Sequence, residues 1–494
     1  MRICIINTGG TISCTGQPLV PMPSDRFAAA VRDLLGPALA ASLPGLRLHF
    51  DTGLRFSDQG PGTLDSTDLR PSDWCRMAAR VLDLYDDHDA FVILHGTDTM
   101  DYSGAALPLL LNVFDDLGLA RAALSKPVIL TGAQLPLLRE TPQGLVLNAG
   151  SDALANLSGA LAMTRLRLPE VALYFDGRLW RGSRALKVST RRLAGFASPH
   201  LPSLAEAGIG IWHGAAAPLP GPASPAQALD DPAARALVRA QLEAVAQGID
   251  RQRVVQIPAV PADHRSAAPL LAQMIEGALA SGATGLVLEG FGEGNIPAGD
   301  GAMRQALLHA QAQGVTTLIA SRAIGGTVGA FHYAAGAWIV DTGAIAAGDM
   351  TPVAALAKLM ILQAAAAHHG WDRSTLAALL TRSLVGESAL QDRMTGPLWP
   401  GQALSAADGA LRLWNDPDDG PVLRDGGQVL WQGAGPGRLQ MLDGRLVLIA
   451  HDGARLWTSP PAVAGAVPVL TAHPPVLRLI DPSGRVAPVT ALPG

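Results

Sequence analysis

Phe91-Val92-Ile93-Leu94-His95-Gly96-Thr97-Asp98-Thr99-Met100-Asp101 decides the fold. Apolar, β-favouring residues stop abruptly at a polar turn, and a helical pattern from Tyr102 to Phe114 follows. This order reads as a buried parallel strand, a tight turn and the start of a helix. Gly96 lets the backbone turn where a Cβ would clash. The helix start adds free N–H groups and a positive dipole end. Open α/β sheets hold ligands at the carboxyl ends of strands like this one. Alone, Thr97-Asp98-Thr99 reads more readily as a helix cap, because Thr and Asp are favoured there. A second copy of the same logic shifts the weight. Arg2 to Asn7 is another apolar strand, and it runs into Thr8-Gly9-Gly10-Thr11-Ile12. Two strand ends in one sheet thus present a Thr beside Gly, which is what acyl transfer through a threonine hydroxyl would use.

Working outward, residues 1–213 alternate strand and helix. Strands are predicted at 2–7, 46–50, 90–95, 126–131 and 171–175. Helices are predicted near 24–35 and 72–85, with Ser24 and Ser72 as N-caps, and near 102–114 and 148–165. Such alternation means an α/β fold, a parallel sheet with helices on both faces. Residues 214–236 hold Pro218, Pro220, Pro222, Pro225 and Pro232 among Ala and Gly, and read as a linker. A second α/β unit is expected over 237–390, with strands at Val254–Ile257, Gly285–Glu289 and Thr316–Ala320. Its helices are expected at Pro269–Ser281, Ala302–Gln313 and Pro352–His369. Gly290-Phe291-Gly292-Glu293-Gly294-Asn295 has the wrong glycine order for a dinucleotide fingerprint and no helix directly after it.

Composition bounds the function. The 494 residues are 48% hydrophobic and only 16% charged, so large cores can be buried and two or three domains are expected. A net charge of −5 gives no reason to expect nucleic acid or an anionic membrane as partner. No apolar run is long enough for a membrane span. Arg2–Asn7 is too short for the apolar core of a secretory leader, so the cytoplasm is the expected compartment. Cys4, Cys14 and Cys75 form neither a disulfide framework nor a zinc spacing, and read as small buried hydrophobes. Cys14 stands out because it follows Thr11 by three residues. His368 and His369 are adjacent on a helical pattern and do not share a face. No metal or organic cofactor is expected.

Thr8-Gly9-Gly10-Thr11-Ile12 together with His95-Gly96-Thr97-Asp98-Thr99 resembles the bacterial L-asparaginases, with flanking text most similar to the cytosolic type I branch. Leu64-Asp65-Ser66-Thr67-Asp68, Leu130-Thr131-Gly132-Ala133-Gln134-Leu135-Pro136 and Leu179-Trp180-Arg181-Gly182-Ser183-Arg184-Ala185-Leu186-Lys187 follow in the family's order. The resemblance covers roughly residues 1–385. It implies an amidohydrolase that releases ammonia from a small-molecule amide, L-asparagine first. It implies Thr11 as first nucleophile, with Thr97, Asp98 and Lys187 as a second catalytic set. Asp98 would hold Lys187, and Lys187 would exchange a proton with Thr97. Gly10, Asp65, Ser66, Thr67, Gly96 and Ala133 are implied to hold the substrate. The family builds each site from two subunits, so a homo-oligomer, dimer or tetramer, is expected. Tyr333 and Glu293 are the candidates to reach a neighbouring site. The family's tyrosine on the loop after the first Thr is missing: Leu19 stands near its place, in a short segment held by Pro18, Pro21 and Pro23. The alternatives are an asparaginase fold with impaired catalysis that acts by binding, and a related amidase acting on another amide.

Beyond about residue 390 the texture changes to short strands, Gly and Pro. Gly427-Gln428-Val429-Leu430-Trp431 and Gly453-Ala454-Arg455-Leu456-Trp457 lie 26 residues apart, and Gly484-Arg485-Val486-Ala487-Pro488 is a weakened third copy. With Pro400-Gly401-Gln402-Ala403-Leu404, these repeats make residues 397–494 similar to a bulb-type mannose-binding lectin, a three-sheet β-prism. The family's sugar pocket aligns best with Leu442-Asp443-Gly444-Arg445-Leu446-Val447-Leu448-Ile449. Arg445 and Ile449 replace its Asn and Tyr, which argues against glycan binding.

Overall fold

The computed structural model describes the chain through Val489 except residues 58–59, 117, 217, 220, 223, 264, 267–268, 330, 332–334, 389–392, 395–396, 401–402, 407–410, 463–465, 472–475 and 481–485. Five parallel strands form the heart of an eight-stranded sheet: β1 (Arg2–Asn7), β2 (Arg47–Asp51), β3 (Ala90–Leu94), β4 (Val128–Thr131) and β5 (Val171–Phe175), in the order β2-β1-β3-β4-β5. Antiparallel strands Arg178–Arg181, Ala205–Ala207 and Ile211–His213 extend it beyond β5. These are the predicted strands to within a residue or two, because β1, β3, β4 and β5 are apolar runs buried on both faces, while edge strand β2 exposes Arg47 and His49.

Alternation along the strands divides the core. Ile3, Ile5, Val92 and Leu94 face helices α1 (Ser24–Ser42) and α4 (Ala153–Met163). Cys4, Ile6, Phe91 and Ile93 face α2 (Pro71–Asp83) and α3 (Met100–Leu110). Each fully buried Ile contributes about 1.5–3 kcal/mol of transfer free energy. The chain runs out along β2 on one side of β1 and along β3 on the other. The crevice of such a sheet opens at that reversal, between β1 and β3. Both glycine turns stand there.

A second sheet of four parallel strands runs Val254–Pro258, Gly285–Gly290, Thr316–Ser321 and Ile345–Ala346. One face packs on α6 (Leu270–Ala280) and α7 (Ala302–Ala312). The other joins the core of the first unit through α5 (Pro232–Gly248) and α8 (Pro352–His369), where Leu107 and Leu110 cluster with Leu359 and Leu362. The stretch 214–236 is therefore not coreless throughout. Leu229 is fully buried, Ala228 bridges Ala123, and Asp231 caps α5 through the Ala233 N–H.

The C-terminal strands form three antiparallel sheets around a core of their own, including Leu404, Leu413, Trp431, Leu439, Leu448, Leu470 and Leu479. The paired Leu-Trp residues are packing residues: Trp431 is buried, and Leu430, Leu456 and Trp457 pack on the same core. Asp443 and Gly444 both have positive φ, 49° and 72°, and make the two-residue hairpin turn between Arg438–Leu442 and Arg445–Ile449.

Candidate active site

The first turn is built by close backbone approach. Thr8 donates from its N–H and its hydroxyl to the Leu94 carbonyl, both at 2.9 Å. Leu64 pairs along the extension of β1, accepting from Gly10 N–H at 3.0 Å and donating to the Thr8 carbonyl at 2.9 Å. A Cβ on Gly10 would lie 2.1 Å from the Gly96 Cα, and one on Gly96 would lie 2.5 Å from the Ser66 hydroxyl. Glycine is required at both places because three segments meet there with no room for a side chain. Gly10, Gly96 and Ser66 are thus brought together.

Thr11 opens one turn of 3₁₀ helix, Thr11–Ser13, and is half-buried. Its hydroxyl makes no hydrogen bond among the described residues. Cys14 donates from Sγ to the Gly10 carbonyl at 3.2 Å, and burial with the nearby Asp65 charge pushes its thiol up to about 11. Cys14 therefore braces the turn and is no nucleophile at neutral pH. The chain then makes a small hairpin, Cys14–Thr15 against Val20–Pro21, with Leu19 54% exposed at its tip. A leucine there cannot accept the Thr11 proton.

On the second turn, His95 donates its backbone N–H to the Thr131 carbonyl at 2.8 Å, fixing β3 to β4. Its Nδ1 lies 2.7 Å from the Gly96 carbonyl, which can only accept, so Nδ1 carries the proton and Nε2 accepts from the Ser103 hydroxyl at 2.8 Å. Burial lowers His95 to about 4, so it is neutral and acts as a brace. Thr97 is only 5% exposed, while Asp98 beside it is exposed. Lys187 Nζ donates to Thr97 Oγ1 at 2.8 Å and to Asp98 Oδ1 at 2.5 Å, with the Lys187 side chain 13% exposed. The three predicted members of the second catalytic set therefore meet in one hydrogen-bonded group.

The direction of these bonds matters. An ammonium is all donor, so Thr97 oxygen accepts from Lys187 and keeps its own O–H to donate to another group. A charged donor held against that oxygen also stabilises negative charge developing on it.

Asp65, Ser66 and Thr67 form a turn beside Gly96 and the start of α3. Asp65 Oδ1 accepts from both the N–H and the hydroxyl of Thr67 at 3.0 Å, and Thr99 donates its hydroxyl to the Ser66 carbonyl at 2.8 Å. Thr99 is the residue before α3, but its side chain reaches this turn and does not cap the helix. Ala133 is fully buried just after β4, next to Gly132, where a Cβ would lie 2.3 Å from the His95 carbonyl oxygen. Glu293 is exposed in a tight loop closed by Phe291 and Asn295, at the end of Gly285–Gly290, and no hydrogen bond ties it to the Thr11–Thr97 group. Tyr333 lies outside the described residues.

Sequence reasoning missed the residues that position Lys187. Asp101, in the first turn of α3, accepts from the Lys187 N–H at 3.1 Å. Burial pushes the Asp101 carboxyl up, while its backbone donors hold it down. Gln134 donates to the Ser189 and Arg192 carbonyls and is itself held through its N–H by both oxygens of Asp152. An acidic residue in a first helical turn was the available signal for Asp101. None existed for the Gln134 side chain, whose partners Ser189 and Arg192 lie more than fifty residues away.

An asparaginase N-terminal family model matches residues 2–216, and a glutaminase/asparaginase C-terminal domain model matches residues 266–376. L-asparaginase 1 of Escherichia coli (strain K12) is 30% identical over 391 residues, covering 79% of this chain and 98% of that protein. The 60 kDa lysophospholipase of Homo sapiens is 32% identical over 398 residues, 78% of this chain and 61% of the relative. Among solved structures, L-asparaginase I from Vibrio cholerae has a TM-score of 0.56 at 28% identity, covering 78% of this chain and 98% of that one. The thermostable L-asparaginase from Thermococcus kodakarensis has a TM-score of 0.59 at 26% identity, with 78% and 99% covered.

Proposed function

Because the chain belongs to the asparaginase family, we propose that it hydrolyses the side-chain amide of L-asparagine to L-aspartate and ammonia through a threonine nucleophile. It is an L-asparaginase-like amidohydrolase acting on linear amides. The observation that carries the reading is Lys187 Nζ bridging Thr97 and Asp98 at the β1–β3 crevice, beside the glycine turn of Thr11.

The steps follow from the residues. Thr11 Oγ1 attacks the amide carbonyl carbon and, as the C–O bond forms, passes its proton to the Thr97 oxygen, whose own proton goes on to the leaving nitrogen. The C–N bond breaks, and the nitrogen leaves as ammonia after taking a proton relayed through the Thr97 hydroxyl. Water then attacks the acyl-threonine ester; one of its protons returns to Thr11 Oγ1, and the other leaves as the product acid ionises to the carboxylate and converts ammonia to ammonium. Asp98 keeps Lys187 in place and accepts from the substrate's ammonium. The Asp65-Ser66-Thr67 segment holds the substrate's α-carboxylate and α-amino groups, the carboxylate on hydroxyl and backbone N–H donors, and Gly10, Gly96 and Ala133 line the pocket. The protein works as a cytoplasmic homo-oligomer, with Glu293 and Tyr333 the groups to meet a neighbouring site. Three free, buried cysteines suit a reducing compartment. No helix among the described residues is long and apolar enough to cross a membrane.

Leu19, exposed where the family's tyrosine stands, favours a second reading: an asparaginase fold with weakened catalysis that acts through its tail or on a different amide. The tail, read as a degenerate lectin-like prism, serves assembly or docking and not sugar capture. Ammonia release from L-asparagine, L-glutamine and a panel of small amides decides. Turnover of asparagine supports the first reading. Turnover of another amide alone supports a related amidase, and release from none by folded protein supports a binding role.

A further inference from the structure

Cys4, His49 and His88 converge at the edge of the main sheet, roughly 13 Å back along β1 from Thr8 at about 3.3 Å per residue. Cys4 sits mid-strand on β1, and parallel register puts His49 of β2 opposite it. His88 lies in the turn entering β3. The Cys4 sulfur and one ring nitrogen from each histidine all lie within 4.8 Å of one another. His49 Nδ1 and His88 Nε2 are 2.9 Å apart, and the rings stack at 4.9 Å.

The other nitrogen of His88 fixes the chemistry. His88 Nδ1 lies 2.9 Å from the Leu84 carbonyl, which can only accept. Nδ1 therefore holds the proton, and Nε2 presents its lone pair to His49 Nδ1 in the cluster that includes the Cys4 sulfur. A carbonyl on the far ring nitrogen is the usual outer support of a metal-ligating histidine. Cys4 is fully buried and His88 only 6% exposed, while His49 is exposed, so the cluster is closed inward and open to solvent on one side. Asp51, whose charge acts on Cys4, is taken by Arg80 and by the Gly53 and Leu54 N–H groups. What remains is one sulfur and two imidazole nitrogens, a set that suits zinc and not magnesium or calcium.

We propose that Cys4, His49 and His88 bind a zinc ion that ties edge strand β2 to β1 and to the turn before β3. Binding replaces the thiol proton, which leaves to solvent, and moves the His49 proton from Nδ1 to the other ring nitrogen. Water fills the fourth position. At Zn–N distances of about 2.0–2.1 Å, tetrahedral geometry puts two nitrogens about 3.3 Å apart. The histidine pair has to open by only a few tenths of an ångström, which the exposed His49 ring can supply. Sequence spacing gave no hint, because the ligands come from three distant segments joined by strand register.

Cobalt(II) titration of the chelator-stripped full chain tests this. The expected result is one cobalt per chain with a thiolate-to-cobalt charge-transfer band, displaced by stoichiometric Zn2+. Cys4→Ser should abolish the band. His49→Ala, at an exposed position where folding is safe, should weaken cobalt binding at least about tenfold, the low end for losing even an outer support of a metal site. Zinc should raise the melting temperature of the native chain and not that of His49→Ala. Absence of the thiolate band at saturating cobalt would overturn the proposal, as would unchanged binding by His49→Ala.

Discussion

Lys187 is the residue on which the proposed chemistry turns, because it donates at once to a hydroxyl and to a carboxylate. Its contribution belongs to the transition state, where charge develops on Thr97, more than to substrate binding. Lys187→Met is therefore expected to lower kcat by more than it raises KM. Asp98→Asn should harm both, since it removes the partner of Lys187 and of the substrate's ammonium. If Lys187→Met changed KM alone, Lys187 would be a binding residue and the relay would be wrong. His95 supplies a pH test of the same turn. Its folded value of about 4 lies below the ordinary 6.5. As pH falls through that window the unfolded chain takes up the proton first, so stability present above 6.5 is lost toward 4, by about 3 kcal/mol. Urea midpoints measured from pH 7 to pH 4 should fall less steeply in His95→Gln than in the native chain. Equal slopes would remove His95 as the source. The turns after β1 and β3 were legible because each couples a strand end to Gly and Thr, whereas the 64–68 segment follows only an isolated bridge to Gly9. The unpaired Thr11 hydroxyl was foreshadowed too, by the missing tyrosine.

At the scale of elements, strand positions were readable and helix ends were not. The stripe Phe27, Val31, Leu35 and Leu39 stays buried and carries α1 through Gly36-Pro37 to Ser42, where the pattern predicted an end near 35. Burial of the stripe outweighs one lost hydrogen bond on the exposed side. Helix α2 starts at Pro71 in place of a Ser72 cap, with Asp73 accepting from the Arg70 N–H at 2.9 Å. Helix α4 waits until Ala153 because Asp152 is engaged by Gln134 and Leu135. The element junctions also hide a polar network that no local pattern reveals. Arg184 donates to Asp349 and to the Glu387 carbonyl, Ser388 donates to Asp349, and buried Lys358 pairs with buried Glu387 at 2.7 Å. Glu387 also accepts from the Leu384 and Val385 N–H groups. Lys358→Met leaves that carboxylate buried without its cation and is expected to cost about 3–5 kcal/mol. Adding Glu387→Gln, which keeps an acceptor for the two N–H groups, should recover part of it. A urea-unfolding loss under about 1 kcal/mol in the single variant would contradict this.

In the whole molecule, the two α/β units share one apolar core and the Arg184–Asp349 junction, so they are expected to act as one catalytic body. The tail has its own core, which begins with Met394 and Leu398. Met394 pairs with Pro468, and Leu398 with Leu439. A chain ending at Ser388 keeps the buried network and should keep kcat/KM within a few-fold, while its oligomer size or solubility changes in size-exclusion chromatography. Loss of ammonia release from this shortened chain, once shown to be folded, would make the tail part of the active unit. The intact chain should pass immobilised mannose unretained, since Asp443 makes a hairpin turn and Arg445 donates to the Ser459 carbonyl. The claim that joins all these scales is amide hydrolysis by Thr11 and Thr97 at the β1–β3 crevice. The most direct measurement is ammonia release from L-asparagine by Thr11→Ala and by Thr97→Val beside the native chain, each shown to be folded. The account expects kcat to fall by at least about 10²–10³ in both. Near-native turnover in either variant would contradict it.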